Sequence, residues 1–415
     1  MGSLFSIAPF SNIFLLPSSH LASRSKKSSK RLSDDDSDGL PVQTEGFQPV
    51  SSSSSTVPNE ELTEEKSQDL LFQYVDELED RTAEKRLKAL QQCSAMIALH
   101  FIPDAVLNFR STLLSAVENS LKRGGAPEKV SAFNLLKLVV LSLGTSSTDI
   151  YPSFRPSILR LLKDNDEDLS VRSAAAEALA LLSFVCEESS DSCHDDIAVL
   201  YSLFEAPEPL SVAAVGGWSL LITILNAKTI IERYVEDALT LLFEMLTRTP
   251  LATSIAVGEA IALLYETVRD IEDYDLEDLP VDKTELLQAL DGLVNERTRR
   301  KSKSDQVDQR KISASIESDT APTIDIVVNK QQLVFNSWEQ ITQLNALRSA
   351  LRTGFHIHLQ YNDLLHEIFD VRIQKEHSTH KLTRLEKRQF CSKNSAASKD
   401  RTSSRDQARA KKLVR

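Results

Sequence analysis

His356, His358 and His366 lie close together with Cys391 beyond them, and imidazole with thiolate is a ligand set that suits zinc. His356 and His358 are two apart, however, so on one helix they point to different sides, and packing or solvent accounts for them better than a metal. Cys186, Cys193 and His194 form a second local group without ligand spacing. Glu272, Asp273, Asp275, Glu277 and Asp278 offer hard oxygen ligands, but the strip lacks the glycine and the bidentate twelfth position of a calcium loop, and a solvated acidic loop is expected. Neither GxxxxGK nor GxGxxG occurs, nor GxSxG, nor HExxH, and no nucleophile has a base that the sequence can place beside it. The chain reads as non-enzymatic, with no catalytic residue, metal, cofactor or small-molecule substrate.

The chemistry that remains is phosphate binding. Lys381, Arg384, Lys387 and Arg388 recur at three- and four-residue spacings with Leu382, Leu385 and Phe390 between them, the pattern of a basic helix with an apolar edge. Lys399, Arg401, Arg405, Arg409, Lys411 and Lys412 continue as an open basic arm. From Lys381 to Arg415 there are 12 basic residues against three acids, a net of +9, which leaves −21 on the rest of a chain whose total is −12. An arm of this kind gains affinity for RNA or DNA, or for a ribosome, from counterion release; the bland alternative is a solubilising tail. A second basic cluster, Arg297, Arg299, Arg300, Lys301 and Lys303, fits an import signal, a phosphate contact or a solvated run equally well.

What positions these residues is helical. The 415 residues are 41% hydrophobic and 26% charged, with only 11 glycines for tight β-turns, which makes an all-β fold improbable. From Asp69 to about Leu293 apolar residues recur at three and four. Asp104 is expected to cap a helix running to Gly124-Gly125, and Pro152 and Pro156 to break the chain before Ile158. The decisive feature is repetition: Ala175–Leu182 aligns with Val257–Leu264, and small-residue anchors at Ala89, Ala132, Ala175, Gly216 and Val257 stand 43, 43, 41 and 41 apart. Such periods belong to HEAT and armadillo arrays, in which each helix pair buries its apolar face on its neighbours. Asp168 followed by Val171, Arg172 and alanines fits the start of such a helix, with a cap acid and then small residues that admit a close neighbour.

The expected fold is therefore an all-α, armadillo/HEAT-like solenoid with a C-terminal helical hairpin and disordered tails. Its organisation reads as a leader over 1–66, the array over 67–295, a basic linker over 296–328, the hairpin over 329–371 turning near Gly354, and the basic arm over 372–415. Trp338 and Phe355 are expected to anchor the hairpin on the last repeats. The uncharged stretch from Pro209 to Ala227 is long enough to cross a bilayer, but it falls on the repeat register, so a buried helix is expected and no membrane partner. Scattered cysteines point to a reducing compartment, with Cys93 and Cys186 packed as small apolar residues, and so to cytoplasm or nucleus. For the acid-free leader, Met1 to Ser33, a transit peptide and N-terminal acylation are the alternatives to a disordered segment.

The sequence resembles the interferon-related developmental regulators. The resemblance covers about residues 67–415 and is carried by Val257–Glu266, by Trp338, by the run Gly354, Phe355, His356, Ile357, His358, Leu359 to Asn362 and Leu365, by Phe369, and by Arg384–Arg388. It implies an armadillo-like body without catalytic residues, in which Trp338, Gly354, His358, Leu359, Asn362 and Phe369 form a structural motif. It also implies a role in gene expression, either at the ribosome with the tail in RNA-lined space or as a transcriptional co-regulator that bridges transcription factors and chromatin-modifying complexes. The repeat surface is the expected site for protein partners.

Overall fold

Alanine-rich helices that can approach one another closely dominate the chain, and they pair. The computed structural model describes residues 64–186, 190–271, 279–296, 303–329 and 331–371. Helices α1 (Glu64–Glu77) and α2 (Ala83–Leu99) form the first pair. A short α3 (Pro103–Asn108) leads into α4 (Arg110–Arg123), which packs on α5 (Ala126–Leu143). Next come α6 (Ile150–Lys163) with α7 (Leu169–Cys186), and α8 (Ser190–Tyr201) with α9 (Leu210–Ile222). In the fifth pair α10 (Ala227–Ile230) passes through a π-helical turn, Ile231–Val235, into α11 (Glu236–Arg248), which packs on α12 (Leu251–Arg269).

The second helices stack in chain order, α2 on α5, α5 on α7, α7 on α9 and α9 on α12, and they carry the five anchors. Ala89, Ala132, Ala175 and Val257 are fully buried. At the fourth position Gly216 is exposed, and the close approach falls to Gly217, where a Cβ would lie 2.9 Å from that of Ala180 on α7. Asp168 caps α7 by accepting from the Ser170 hydroxyl at 2.6 Å and from its backbone N–H at 2.8 Å, which together hold its carboxyl below the usual range, and Arg172 Nε donates to the Leu162 carbonyl at 3.0 Å. These contacts bear out the repeat register and the all-α class.

Several local expectations need correction. Asp104 caps no helix: it lies inside α3 behind Pro103, and the chain breaks at Phe109 before α4 begins. Gly124 does end α4. Pro152 and Pro156 do not break the chain ahead of Ile158, because α6 starts at Ile150. Pro152 sits in the first turn, where an N–H has no partner to lose, and Pro156 lies within the helix. Two described helices, α7 and α12, are long and apolar enough to cross a bilayer by length and composition, yet most of their residues are buried among neighbouring helices.

The largest correction concerns the expected linker over 296–328. After α13 (Lys283–Glu296), residues Lys303–Ser318 form α14, which packs on both α13 and α12 and supplies the sixth second-row helix. From Gln309 onward its buried side chains are Gln309, Ile312, Ser313, Ser315 and Ile316, three of them polar, so this part of its sequence looks solvated. Gly258 leaves the room into which Ile312 packs, and Ser313 Oγ donates to Asp291 of α13 at 3.2 Å. A two-stranded antiparallel hairpin follows, β1 (Ile324–Val328) and β2 (Gln331–Phe335), with Ile326 opposite Leu333 and Ile324 opposite Phe335 on its buried side. The first residues of the expected helical hairpin are thus strand.

Candidate functional site

Helix α15 (Trp338–Leu351) begins directly after β2, and Ser337 caps it by accepting from Gln340 N at 3.2 Å. It lies across the second-helix row, in contact with α12, α9 and α5. A 3₁₀ turn, Arg352–Gly354, then brings α16 (Phe355–Tyr361) onto α2, and α17 (Asp363–Ile368) follows. The hairpin is a strap from the fifth and sixth pairs back to the first.

At the start of the strap, Trp338 and Glu339 donate their backbone N–H groups to the carboxylate of Glu266 on α12, and Trp338 Nε1 donates to Ser315 Oγ of α14 at 2.9 Å. A carboxylate at these free N–H groups also meets the positive end of the α15 dipole. Burial nevertheless pushes the Glu266 carboxyl upward, more than the two N–H groups lower it. Midway, Gln343 Nε2 donates to Thr223 Oγ1 beyond the end of α9 at 3.1 Å.

The far end holds on to the C-termini of array helices. The last carbonyls of any helix lack partners within it. His358 Nε2 bonds the Ile97 carbonyl in the last turn of α2 at 3.0 Å, and Asn362 Nδ2 donates to the Leu141 carbonyl in the last turn of α5 at 2.8 Å. The two residues are four apart, so one side of the strap caps two adjacent repeats. Asn362 Oδ1 also accepts from Leu364 N at 3.0 Å and so starts α17. Gly354 is required by contact: a Cβ there would lie 1.7 Å from the Ala98 carbonyl oxygen. Leu359 is fully buried, and Phe369 meets Phe335 of β2 edge to face at 5.1 Å.

The six residues of the expected structural motif lie on one strap but not in one place: Trp338 is at the α12 and α14 end, Gly354, His358, Leu359 and Asn362 are in the part that meets α2 and α5, and Phe369 packs on β2. Trp338 anchors where expected. Phe355 does not: it is buried at the α2 end, under the Arg348 guanidinium, and meets the first repeat rather than the last. The sequence reading missed Glu266, although it lies in the run Val257–Glu266; a glutamate closing an apolar helix gives no sign that it caps another helix 72 residues on.

Two of the imidazoles, His358 and His366, are spent on the backbone. His358 is buried, and that burial lowers its pKa more than its bonds to Ile97 and Ala98 raise it. His366 Nε2 bonds the Leu359 carbonyl at 2.8 Å, while His356 is exposed. His194 Nδ1 faces the Tyr234 hydroxyl at 2.5 Å, and Cys93 is a buried thiol pushed up to about 12 by its surroundings. The acidic strip 272–278, the basic residues 297–301, and Lys381, Arg384, Lys387, Arg388, Lys399, Arg401, Arg405, Arg409, Lys411, Lys412 and Cys391 lie outside the described residues.

Beside the strap, a groove of about 520 Å³ lies between α15 and helices α7, α9 and α12. Its floor is small, with Ala180, Ala213, Gly216, Ala252 and Ala256. Of its charged residues, Lys137 of α5 is buried and bonded to Glu177 of α7 at 2.6 Å. Glu208 accepts from Thr253 N at 3.0 Å and from its Oγ1 at 2.9 Å, and Glu259 stands on α12.

The family model described as interferon-related developmental regulator matches residues 23–318, and one described as interferon-related protein conserved region matches 362–413. The chain belongs to this family. Interferon-related developmental regulator 2 of Mus musculus is 29% identical over 381 residues, covering 85% of each chain. Interferon-related developmental regulator 1 of Homo sapiens is 25% identical over 387 residues, covering 86% of this chain and 83% of its own length. The family is regulatory, and its first match takes in α14 as the array does. That match reaches back to residue 23, well before the start near 67 that the resemblance suggested. The strap from Trp338 to Tyr361 falls between the two matches, and the second opens on Asn362.

Proposed function

We propose that this regulator of gene expression works without catalysis, as a helical scaffold whose basic arm, Lys381–Arg415, binds RNA, in the ribosome above all, and so controls translation. The observation that carries the reading is the separation of charge, +9 on the arm and −21 on the rest. Attraction to phosphate then belongs to the arm, while the acidic body is repelled by it. The strap adds support. Helical arrays bind protein ligands along an extended repeat face, and here α15 and α16 occupy much of the second-helix row. The conserved-region match, 362–413, takes in both Asn362, which caps α5, and most of the arm. The arm therefore follows an anchored helix, and 35 extended residues reach about 115 Å, enough to enter a channel that excludes the body.

A second reading, a nuclear scaffold bridging transcription factors and chromatin-modifying complexes, draws on Val327 and Val334, which are 65% and 50% exposed on the outer side of the β-hairpin and suit a protein contact. Sedimentation of the full chain with ribosomal particles separates the two. Arg401, Arg405 and Arg409 changed together to Glu should abolish co-sedimentation of an otherwise folded protein. For the natural chain, log affinity for single-stranded RNA should fall with log salt at a slope of roughly −4 to −6, as expected when six to eight phosphates are neutralised. Undiminished co-sedimentation by the charge-reversed chain would favour the scaffold. The proposed sites of action are cytoplasm and nucleus.

A further inference from the structure

We propose that the turn of the strap, Arg348 and Arg352 with the outer side of α16, is a second RNA-binding site, on the body rather than the arm, with Arg352 as its anchor. The site deepens the RNA reading of the arm and rests on it for the class of ligand. The backbone gives the first sign. Two helices end in the same uncommon conformation ahead of a 3₁₀ turn: α5 at Gly144, with φ 53° and ψ −129°, and α15 at Arg352, with φ 50° and ψ −123°. Glycine reaches this region freely, whereas a residue with a Cβ is strained there. The first position is glycine. The second is an arginine whose side chain is exposed and makes no hydrogen bond or ion pair with any described residue. Nothing that the side chain does for the fold offsets the strain, so its use lies with a ligand.

Charge gives the second sign. The body as a whole is acidic, yet no acid occurs from Gln340 to Asn362, nor from Lys85 to Pro103 across α2, on which the turn and α16 pack. Arg348, half-buried over the Phe355 ring at 5.4 Å, has no carboxylate partner either. Of the acids on neighbouring elements, Asp325 of β1 lies on the outer side of its hairpin with Val327, and Asp363 of α17 faces His366 at 3.6 Å. The outer side of α16 carries His356, Ile357, Gln360 and Tyr361, the last 49% exposed. Guanidinium groups beside an exposed phenol ring and an amide combine phosphate donors with a surface on which a base stacks. An acidic peptide would use the arginines and leave the ring idle. Described chain ends at Val371, ten residues after Tyr361, so a strand held by the arm can run onto the site.

The test measures the affinity of the full chain for oligouridine. Arg352→Gly should bind about five- to tenfold more weakly, with a salt slope shallower by about 0.7, the loss of one phosphate contact on a single strand. The same variant should melt about 2 °C higher, because the strain is relieved. Weaker binding with a higher melting temperature marks a binding residue, since loss of a structural one would lower both. Arg352→Lys should keep the natural slope and melting temperature. Tyr361→Ala should weaken binding about fivefold or more at an unchanged slope, because it removes a stacking surface and no charge. Arg352→Gly that binds oligouridine like the natural chain, or that melts lower, would overturn the proposal. So would a loss of affinity confined to polyglutamate, the sign of an acidic protein partner. Arg401, Arg405 and Arg409 changed together to Glu separate the site from the arm. Undiminished binding by that form, with weaker binding by Arg352→Gly, would defeat the arm and keep the site; the reverse pattern would remove the site alone. No binding by the natural chain would defeat both.

Discussion

The helix pairs and the strap differ in the reach of their contacts. In the array each helix is buried by near neighbours: α7 meets α5, α6, α8 and α9, and its core is mostly Ala and Leu closed off from water. The strap is buried too, through Trp338, Ile341, Leu344, Leu347, Leu351 and Leu359, but its polar contacts join residues far apart in sequence, 72 for Glu266 with Trp338, 221 for Leu141 with Asn362 and 261 for Ile97 with His358. Nearest-neighbour arrays confine damage to one end. A strap fixed at both ends joins the first repeat to the last, so the same protein should show both behaviours.

The harshest break of this contrast lies in the array. Ala175→Arg or Ala260→Glu places an unpaired charge between stacked helices where both alanines are fully buried, at a cost of roughly several kcal/mol. Circular dichroism should show a large fall in melting temperature; a melt like that of the natural chain would contradict the assigned register.

Trp338→Ala comes next. It empties a site between α12 and α14 and leaves Ser315 Oγ without its indole partner, a loss of about 3–5 kcal/mol if the site cannot collapse. Because the strap continues to α2, hydrogen exchange should rise at Ile97 and Ala98 as well as over 338–351, with α7 unaffected. Exchange that rises only near Trp338 would mean that the strap's two ends act independently.

His358→Ala and Asn362→Ala should each cost about 1–3 kcal/mol, since each strands a helix-terminal carbonyl away from water. The double variant should cost less than the sum, because Asn362 Nδ2 also faces His358 Nδ1 at 3.4 Å. Additive losses in chemical denaturation would separate the two caps.

The smallest effect is that of pH. The pKa of His358 is lowered in the folded chain by burial, so the unfolded chain binds the proton more readily. Its contribution to stability is present above the ordinary value of 6.5 and is lost as pH falls below it. Comparison of His358→Gln with the natural chain across pH 5–8 should show a flatter profile in the variant; parallel profiles would remove His358 from the far end of the strap.

How much of this was legible follows from the same contrast. Repetition announced the array, because helices that bury one another must repeat their small residues, and Ala89, Ala132 and Ala175 did so. The motif residues of the strap were legible as a set through family resemblance, but their partners were not, since a carbonyl at Ile97 or Leu141 leaves no mark in sequence. Helix α14 was hidden because, from Gln309 onward, its buried side mixes Ile312 and Ile316 with serines and a glutamine. Phe355 was assigned to the wrong end because proximity in sequence stood in for proximity in space.

Gly354→Ala tests the central claim most directly, that the hairpin ties the first repeat to the last. The added methyl cannot coexist with the Ala98 carbonyl, so the strap must leave α2 or distort it. Amide exchange read across the full chain should rise at Ile97 and Ala98, along 338–368, and at the Trp338 and Glu339 N–H groups bound by Glu266, while the centres of α7 and α9 keep their protection. Protection at Ala98 and at Glu339 equal to that of the natural chain would contradict the strap.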